Sequence, residues 1–510
     1  MQNTTSGEGV NTHRPSFKKP YLAQQARTQP SAPAVADELP ADASFELRFA
    51  DMIARDEDYV IGGRLRDGED TRISHWNGSH WEVCSSLMMT AKALRWMRGI
   101  RPDKTNKANA YGCAQTAVAE LMGRPDRYLP ASGDRPIIPV EGAYLEILED
   151  GRIRAMRPDK SCGLMHKVPA AFDWKNVTDQ GYFVPQPLNE KSKWASYLQR
   201  FFPDTQVRSY LQEAVASSLL PVCYEKGFFL CGSGSNGKST LLHVLAALHP
   251  MRTAVRLEKL GGQFAIHPIA NKTLITSAEI PRVLNKETQE TLKQVISRDE
   301  MQAEQKGSDP YTMRPIGTYF GSCNAFPQVS SQDHGWKRKV VGIPFDVCLK
   351  EGDKSRKTDF HRLILNDPEE MAQVLNWVLE GAIRLVKQNG FSELPPRMVA
   401  LAKEHDLLTD TVIAYMADRS MESSSEVRTC KKAIYADYVE FAKVECGRGA
   451  VSVEEFWRRV KEKHQDIQEQ QLYHLKEKHR CVSLVVDNLP AIRDTRIKNG
   501  YIPEIDDVPM

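Results

Sequence analysis

Gly232-Ser233-Gly234-Ser235-Asn236-Gly237-Lys238-Ser239 has the spacing G-x-x-x-x-G-K-[ST] of a phosphate-binding loop. A β-prone run, Gly227-Phe228-Phe229-Leu230-Cys231, leads into it, and a helix-prone run, Thr240 to Leu248, leaves it. Those flanks separate the motif from a Gly/Ser-rich surface turn that happens to hold a lysine. The glycines let the backbone wrap until successive N–H groups point inward at phosphate oxygens. The helix that follows aims its positive end at the same point. The expected nucleotide-binding segment is therefore Gly232, Ser233, Gly234, Ser235, Asn236, Gly237, Lys238, Ser239 and Thr240. Lys238 is expected on the β- and γ-phosphates and the Ser239 hydroxyl on Mg2+, so ATP and Mg2+ are the cofactors this chemistry requires.

Downstream, Ala270 to Glu279 reads as a short β-branched strand ending in a carboxylate. An acid at the end of the neighbouring strand can hold Mg2+ or activate the attacking water, which makes Glu279 the candidate acid and, with Ser239, the candidate metal residue. Glu287 to Ile296 reads as a polar helix. Ser297 to Gly307 leads through Ser308-Asp309-Pro310 to another strand, which reads as a β-hairpin with a polar Lys306-Gly307 turn, and Arg314 to Asn324 reads as a strand ending in an amide. Asn324 at that place can hold a water beside the γ-phosphate; alone, it is as readily a turn residue. Lys337-Arg338-Lys339 then precedes the strand Val340 to Phe345. Three such cations serve either as a solvated edge or as a guanidinium presented to a neighbouring subunit's ATP.

The remainder bounds the setting. Net charge is +2 from 68 basic and 66 acidic residues, a balance that neither announces nor opposes nucleic-acid binding. Ten cysteines without a C-x-x-C imply neither a zinc site nor a disulfide framework. No apolar run approaches the ~18 residues of a membrane span, and the N-terminus lacks the layout of a signal peptide, so a cytoplasmic location and no membrane partner are expected. Residues 1–44, rich in Thr, Ser, Gln, Pro and Ala, read as a disordered tail. Residues 45–188 read as an α+β domain, with an Asn77-Gly78 hairpin between Trp76 and Trp81 and a second hairpin at Glu149-Asp150-Gly151. Trp76 and Trp81 are open to base stacking, but cross-strand packing is the commoner use of such pairs. Helices fill Asn189 to Pro221, ahead of the core. Residues 347–424 read as a helical lid and connector, with one helix over Asp367–Gln388 and another over Arg397–Ala417. Residues 425–510 read as three helices (Lys431–Val444, one opening at Ser452, and Ile467–His479) and two strands, a winged-helix-like unit. Its Lys476 and Lys478 on the third helix, and Arg496 and Lys498 on the wing, are candidate DNA contacts.

The ordered set of phosphate loop, strand with Glu279, hairpin with Lys306, strand with Asn324, and Trp336-Lys337-Arg338 before Ile343-Pro344-Phe345 resembles superfamily 3 helicases. It is most similar to the helicase part of the primase-helicase family of phages, plasmids and poxviruses. The resemblance covers about Leu198 to Phe345, and places the core at 189–346. It implies an AAA+-like α/β fold, flanked by the α+β and winged-helix-like domains, and a ring, usually a hexamer, with ATP between subunits. Lys238 and Ser239 carry over as phosphate and metal contacts, Glu279 as the acid, and Asn324 as the γ-phosphate sensor. Arg338 carries over as the arginine finger with Lys337 as a second cation, and Lys306 as the tip of a hairpin that tracks DNA. Members often have Gly-Asp where this chain has Arg298-Asp299. The residues ahead of the core lack the spaced carboxylates of a primase, so primer synthesis is not expected.

The expected function is therefore ATP-driven unwinding in the replication of a mobile element. The partners would be single-stranded and forked DNA, further copies of the chain, and separate replication proteins such as a primase. The rival readings are a replication initiator that uses ATP only to assemble and, more weakly, a small-molecule kinase.

Overall fold

The structure is a computed structural model that describes residues 39–40, 42–62, 72–234, 236–307, 309–329, 334–349, 359–446, 449–474 and 477–491. Most of the tail expected over residues 1–44 lies outside them, as do Ser235, Lys476, Arg496 and Lys498.

Helix α1 (Phe45–Arg55) starts at Ser44, whose hydroxyl accepts from the Leu47 N–H, the usual N-cap arrangement. It packs with α2 (Ser86–Ile100) and α3 (Lys107–Met122) around Phe49, Ile53, Ala93 and Met97. The Asn-Gly hairpin forms as expected. β1 (Tyr59–Ile61), β2 (Ile73–Trp76) and β3 (Trp81–Cys84) make an antiparallel sheet in which Trp76 opposes Trp81, the ring centroids 5.6 Å apart. Trp81 is buried, and its indole donates to the Lys160 carbonyl, so this pair is packing. β4 (Ile137–Val140), β5 (Ala143–Ile147), β6 (Ile153–Met156) and β7 (Tyr182–Phe183) form a second antiparallel sheet, with the β5–β6 turn at Gly151.

α4 (Lys193–Phe201) and α5 (Thr205–Leu219) lead into a five-stranded parallel sheet. Its strands are β8 (Gly227–Cys231), β9 (Arg252–Ala254), β10 (Leu274–Ser277), β14 (Thr318–Cys323) and β16 (Val340–Pro344). Between β8 and β9 runs α6 (Lys238–Leu248). After β10 come β11 (Val283–Leu284), α7 (Lys286–Ser297) and the hairpin β12 (Met301–Ala303) with β13 (Tyr311–Met313). β15 (Gln328–Val329), which pairs with β11, and the short α8 (His334–Lys339) separate β14 from β16. Across the sheet the order is β16-β8-β14-β10-β9, every pair parallel. Parallel strands need crossovers and are covered on both faces, which is why β8 and β14 are buried along their whole lengths. The fold is thus mixed α/β.

Arg298 explains one departure noted in the sequence. It caps α7 in the left-handed region at φ 57°, a conformation that glycine adopts most readily. Here the half-buried side chain donates a hydrogen bond to the Pro221 carbonyl.

After β16 come α9 (Phe360–Leu365) and α10 (Pro368–Gln388). α10 ends at Asn389 in a left-handed cap, as its Asn-Gly sequence suggests. It lies against α5, where Gly381 lets the backbones meet at Gln212. There the fully buried Glu213 accepts from Arg384, 2.9 Å, and from the Ser392 hydroxyl, 2.7 Å. At its other end, Glu370 caps α4 by accepting the N–H groups of Lys193 and Trp194, 2.7 and 3.0 Å. Core residues of β4–β7, α4, α5, the sheet and α10 form one continuous cluster.

The single helix expected over Arg397–Ala417 is two, α11 (Pro396–Thr409) and α12 (Thr411–Asp418). Asp410 breaks them by turning its carboxylate onto the Val412 and Ile413 N–H groups. Met398 of α11 belongs to the sheet's core, whereas Val412 and Tyr415 of α12 join the C-terminal one. Past β17 (Glu422–Ser423) and β18 (Thr429–Cys430) lie α13 (Lys431–Val444) and α14 (Val453–Lys463), the latter capped by Ser452. The helix expected over Ile467–His479 is not formed. β19 (Glu469–His474) and β20 (Glu477–Val482) run antiparallel there, β20 lying between β18 and β19, and β21 (Leu484–Val485) pairs with β17. Of Glu469–His474 only Leu472 is buried, too little apolar surface at helical spacing to hold a helix on the core. α12, α13 and α14 supply the three helices that pack there. No helix among the described residues is long and apolar enough to cross a membrane.

Candidate active site at the ends of the parallel strands

β8 delivers the chain to Gly232, whose N–H donates to the Cys323 carbonyl at the end of β14, 3.1 Å. A Cβ at Gly232 would collide with the Asn236 amide and the Phe345 carbonyl, so glycine is required by close approach. Gly237 is required twice over: its φ is 86°, and a Cβ would lie 2.9 Å from the Phe201 ring. The buried Asn236 donates to the Phe345 carbonyl, 3.3 Å, and the Tyr197 hydroxyl of α4 to the Gly237 carbonyl, 3.0 Å. Burial raises the Tyr197 phenol's pKa well above its ordinary value, so it stays a neutral donor. Trp194 stacks on Tyr197 with centroids 5.2 Å apart. The loop is thus braced from below by α4, which α10 caps in turn.

Lys238 opens α6 and is only 7% exposed. Its ammonium folds back over the loop, donating to the carbonyls of Gly232 and Ser233 and to the Asn236 Oδ1, 2.9 Å. Burial lowers its pKa. A buried cation resting on neutral carbonyls is incompletely compensated, and phosphate oxygens would supply the missing charge. Ser239 is exposed at the start of α6, Thr240 is half-buried, and Ser233 and Gly234 are exposed.

Asn324 directly follows β14 and is exposed, one residue beyond the carbonyl that receives the Gly232 N–H. Glu279 lies exposed two residues past β10, next to Ile280, whose N–H donates to the Ser322 carbonyl of β14. β10 is therefore not the neighbour of β8 that the sequence suggested: β14 is inserted between them. Loop, amide and acid stand side by side at the same end of three consecutive strands. Where parallel strands end together is where such sheets bind ligands.

Arg338 is elsewhere. It is the penultimate residue of α8, just before β16, whose first residue, Val340, pairs with Gly227 at the opposite end of β8. The strand between spans roughly 13 Å at ~3.3 Å per residue. Arg338 pairs with Glu225, 2.6 Å, which holds a left-handed backbone, φ 50°. The Lys226 ammonium donates to the Arg338 carbonyl, 2.5 Å, and burial lowers its pKa. Lys337, expected beside Arg338 as a second cation, turns instead to Asp406 of α11, 2.8 Å. Lys226 was not singled out from the sequence; its place just before the β8 run is the one signal that could have marked it. Asn236, a variable position of the motif, and Tyr197, which lies forty residues from Gly237, show their roles only in three dimensions.

Lys306 is exposed at the β12–β13 turn, beside Gly307 at φ 78°. Lys478 is exposed on β20, a strand rather than the helix expected for it.

Residues 230–339 match the family described as DUF5906, a family of unknown function. A protein of Acanthamoeba polyphaga mimivirus, named provisionally as a helicase, is 27% identical over 171 residues. The match takes in 32% of this chain and 18% of the viral protein's length. Among solved structures, the apo C-terminal region of NrS-1 in its A form aligns over 67% of this chain and 93% of its own, at 13% identity and a TM-score of 0.39. A second apo structure of that region gives 12% identity and a TM-score of 0.35, over 67% of this chain and 94% of its own.

Proposed function

We propose that this chain is the ATPase subunit of a superfamily 3 DNA helicase, active as a ring on single-stranded DNA at a replication fork. The observation that carries the reading is the placement of Arg338 at one end of the sheet and of the loop, Asn324 and Glu279 at the other. A guanidinium so placed cannot serve its own loop but can serve that of an adjacent copy.

In this reading Gly232–Thr240 hold the triphosphate of ATP through backbone N–H groups, and Lys238 leaves the carbonyls of Gly232 and Ser233 for the β- and γ-phosphates. The Ser239 hydroxyl and, through water, Glu279 would hold Mg2+, which would neutralise charge on the phosphate oxygens. Glu279 orients and deprotonates the attacking water, and Asn324 holds that water in line. Arg338 of the neighbouring copy, with Lys226 beside it, stabilises the charge that develops on the γ-phosphoryl group. Strand order β16-β8-β14-β10-β9 supports the AAA+-like assignment. The likeness to a viral protein named as a helicase supports the motor reading over a kinase.

The C-terminal unit is read as a winged helix built from α12, β18, α13, α14 and the β19–β20 hairpin, with α14 as the helix preceding the wing. Lys478 on the hairpin, and Lys306 at the β12–β13 tip, would meet phosphates of the DNA backbone, so binding should weaken steeply with salt. Single-turnover unwinding of a forked duplex tests the proposal. The wild type should separate the strands only with ATP, and unwinding that survives in Lys238→Ala would refute it. An initiator that merely assembles would bind DNA with ATP and never unwind.

A further inference from the structure

The first turn of α2 leaves Leu87 and Met88 standing in solvent, 73% and 54% exposed. Adjacent large apolar side chains in the open are uncommon away from binding surfaces. Met88 also lines an open groove of 680 Å3 beside α2, whose lining includes Met52, Met89, Cys84, Lys92 and Arg95. Among the described residues no carboxylate lines that groove, and α2, SLMMTAKALRWMRGI, carries Lys92, Arg95 and Arg98 without one acid. The Lys92 ammonium is held 4.2 Å over the Tyr59 ring and bonded to its hydroxyl, which fixes a charge at the groove wall. Arg95 is exposed.

The aromatic rings here are already engaged. Trp96 sits edge-on to Phe45 and Phe49, 6.4 and 5.4 Å between centroids. Tyr59 lies between Lys92 and His75. The surface therefore offers adaptable thioether contacts, one fixed cation, Lys92, and one exposed cation, Arg95, rather than stacking faces for bases, and that favours a peptide over nucleic acid.

We propose that this groove seats an acidic peptide segment of a partner protein, its large aliphatic or aromatic side chains on the methionines and its carboxylates on Lys92 and Arg95. The site stands apart from the ATPase and does not depend on it.

The test is fluorescence anisotropy of the full chain with a labelled synthetic peptide, DDLEEFLDEI. Its amide counterpart NNLQQFLNQI and a ten-nucleotide oligothymidylate serve as comparators. The acidic peptide should bind, with affinity falling roughly tenfold in Arg95→Glu and in Met88→Glu, while the amide peptide should bind at least roughly tenfold more weakly. Both positions are exposed, and unchanged thermal melting verifies the fold. No binding, equal binding of the amide peptide, or insensitivity to both substitutions overturns the proposal. Competition by the oligothymidylate that Arg95→Glu abolishes would reassign the groove to nucleic acid.

Discussion

At the C-terminal end of the parallel sheet, Lys238, Asn324 and Glu279 stand together, and the buried Lys238 rests on neutral carbonyls. At the N-terminal end, Arg338, Lys226 and the half-buried Arg298 stand near the strand starts, with Glu225 paired to Arg338. One end holds the glycine-rich loop with an amide and a carboxylate beside it; the other holds cations. On the proposed reading, the two ends are halves of one chemistry, joined only where one copy of the chain meets the next.

The largest expected effect breaks the link between the ends. Arg338→Ala should lower ATP turnover about a thousandfold while ATP affinity stays within about threefold. Titrating the variant into wild type should depress turnover beyond the fraction of variant added. A linear decline, or full activity from a monomer, would separate the ends. Lys238→Ala should cost about a hundredfold in turnover and, unlike Arg338→Ala, should weaken ATP binding as well. Equilibrium binding of a fluorescent ATP analogue distinguishes the two patterns.

A third prediction probes the far end without touching catalysis. His249, fully buried after α6, lies between the hydroxyls of Ser218 and Thr273. Burial, with His166 and Arg252 adding to it, lowers its pKa to about 3. The unfolded imidazole takes up its proton near pH 6.5, so stability is full above that value and falls as the pH drops toward 3. At pH 5 the loss from this group is about 2 kcal/mol, measurable by urea unfolding at pH 7.5 and pH 5, and His249→Gln should flatten the dependence. The smallest effect belongs to Glu225→Ala. Its exposed ion pair with Arg338 is worth about 0–1 kcal/mol, so the melting temperature should barely move. Turnover should change by no more than about threefold, in parallel with and without DNA.

Where the chain's local chemistry is strong, the sequence was legible. The strand and helix flanking the glycine-rich loop, the Asn77-Gly78 hairpin, α10 with its Asn389 stop and the Lys306 turn stand where reading placed them. Each rests on a short-range rule: glycine at a special backbone angle, a cap, an apolar stripe. The C-terminal unit shows the limit. Ile467–His479 has few apolar residues and no breaker, so it reads as a polar helix, yet β20 is drawn into the space between β18 and β19. At Asp410 one helix became two because its halves belong to different cores.

Composition, spacing and turn chemistry determined that this chain carries a G-x-x-x-x-G-K-S loop between a strand and a helix, and that an acid, an amide and a run of cations follow in that order. The tertiary structure alone decided which strand ends meet. It put β14 between the loop and Glu279, sent Lys337 to Asp406, and set Lys226 beside Arg338. Strand order in a parallel sheet is fixed by how crossovers pack over both faces, a long-range balance of burial that no local window of sequence contains.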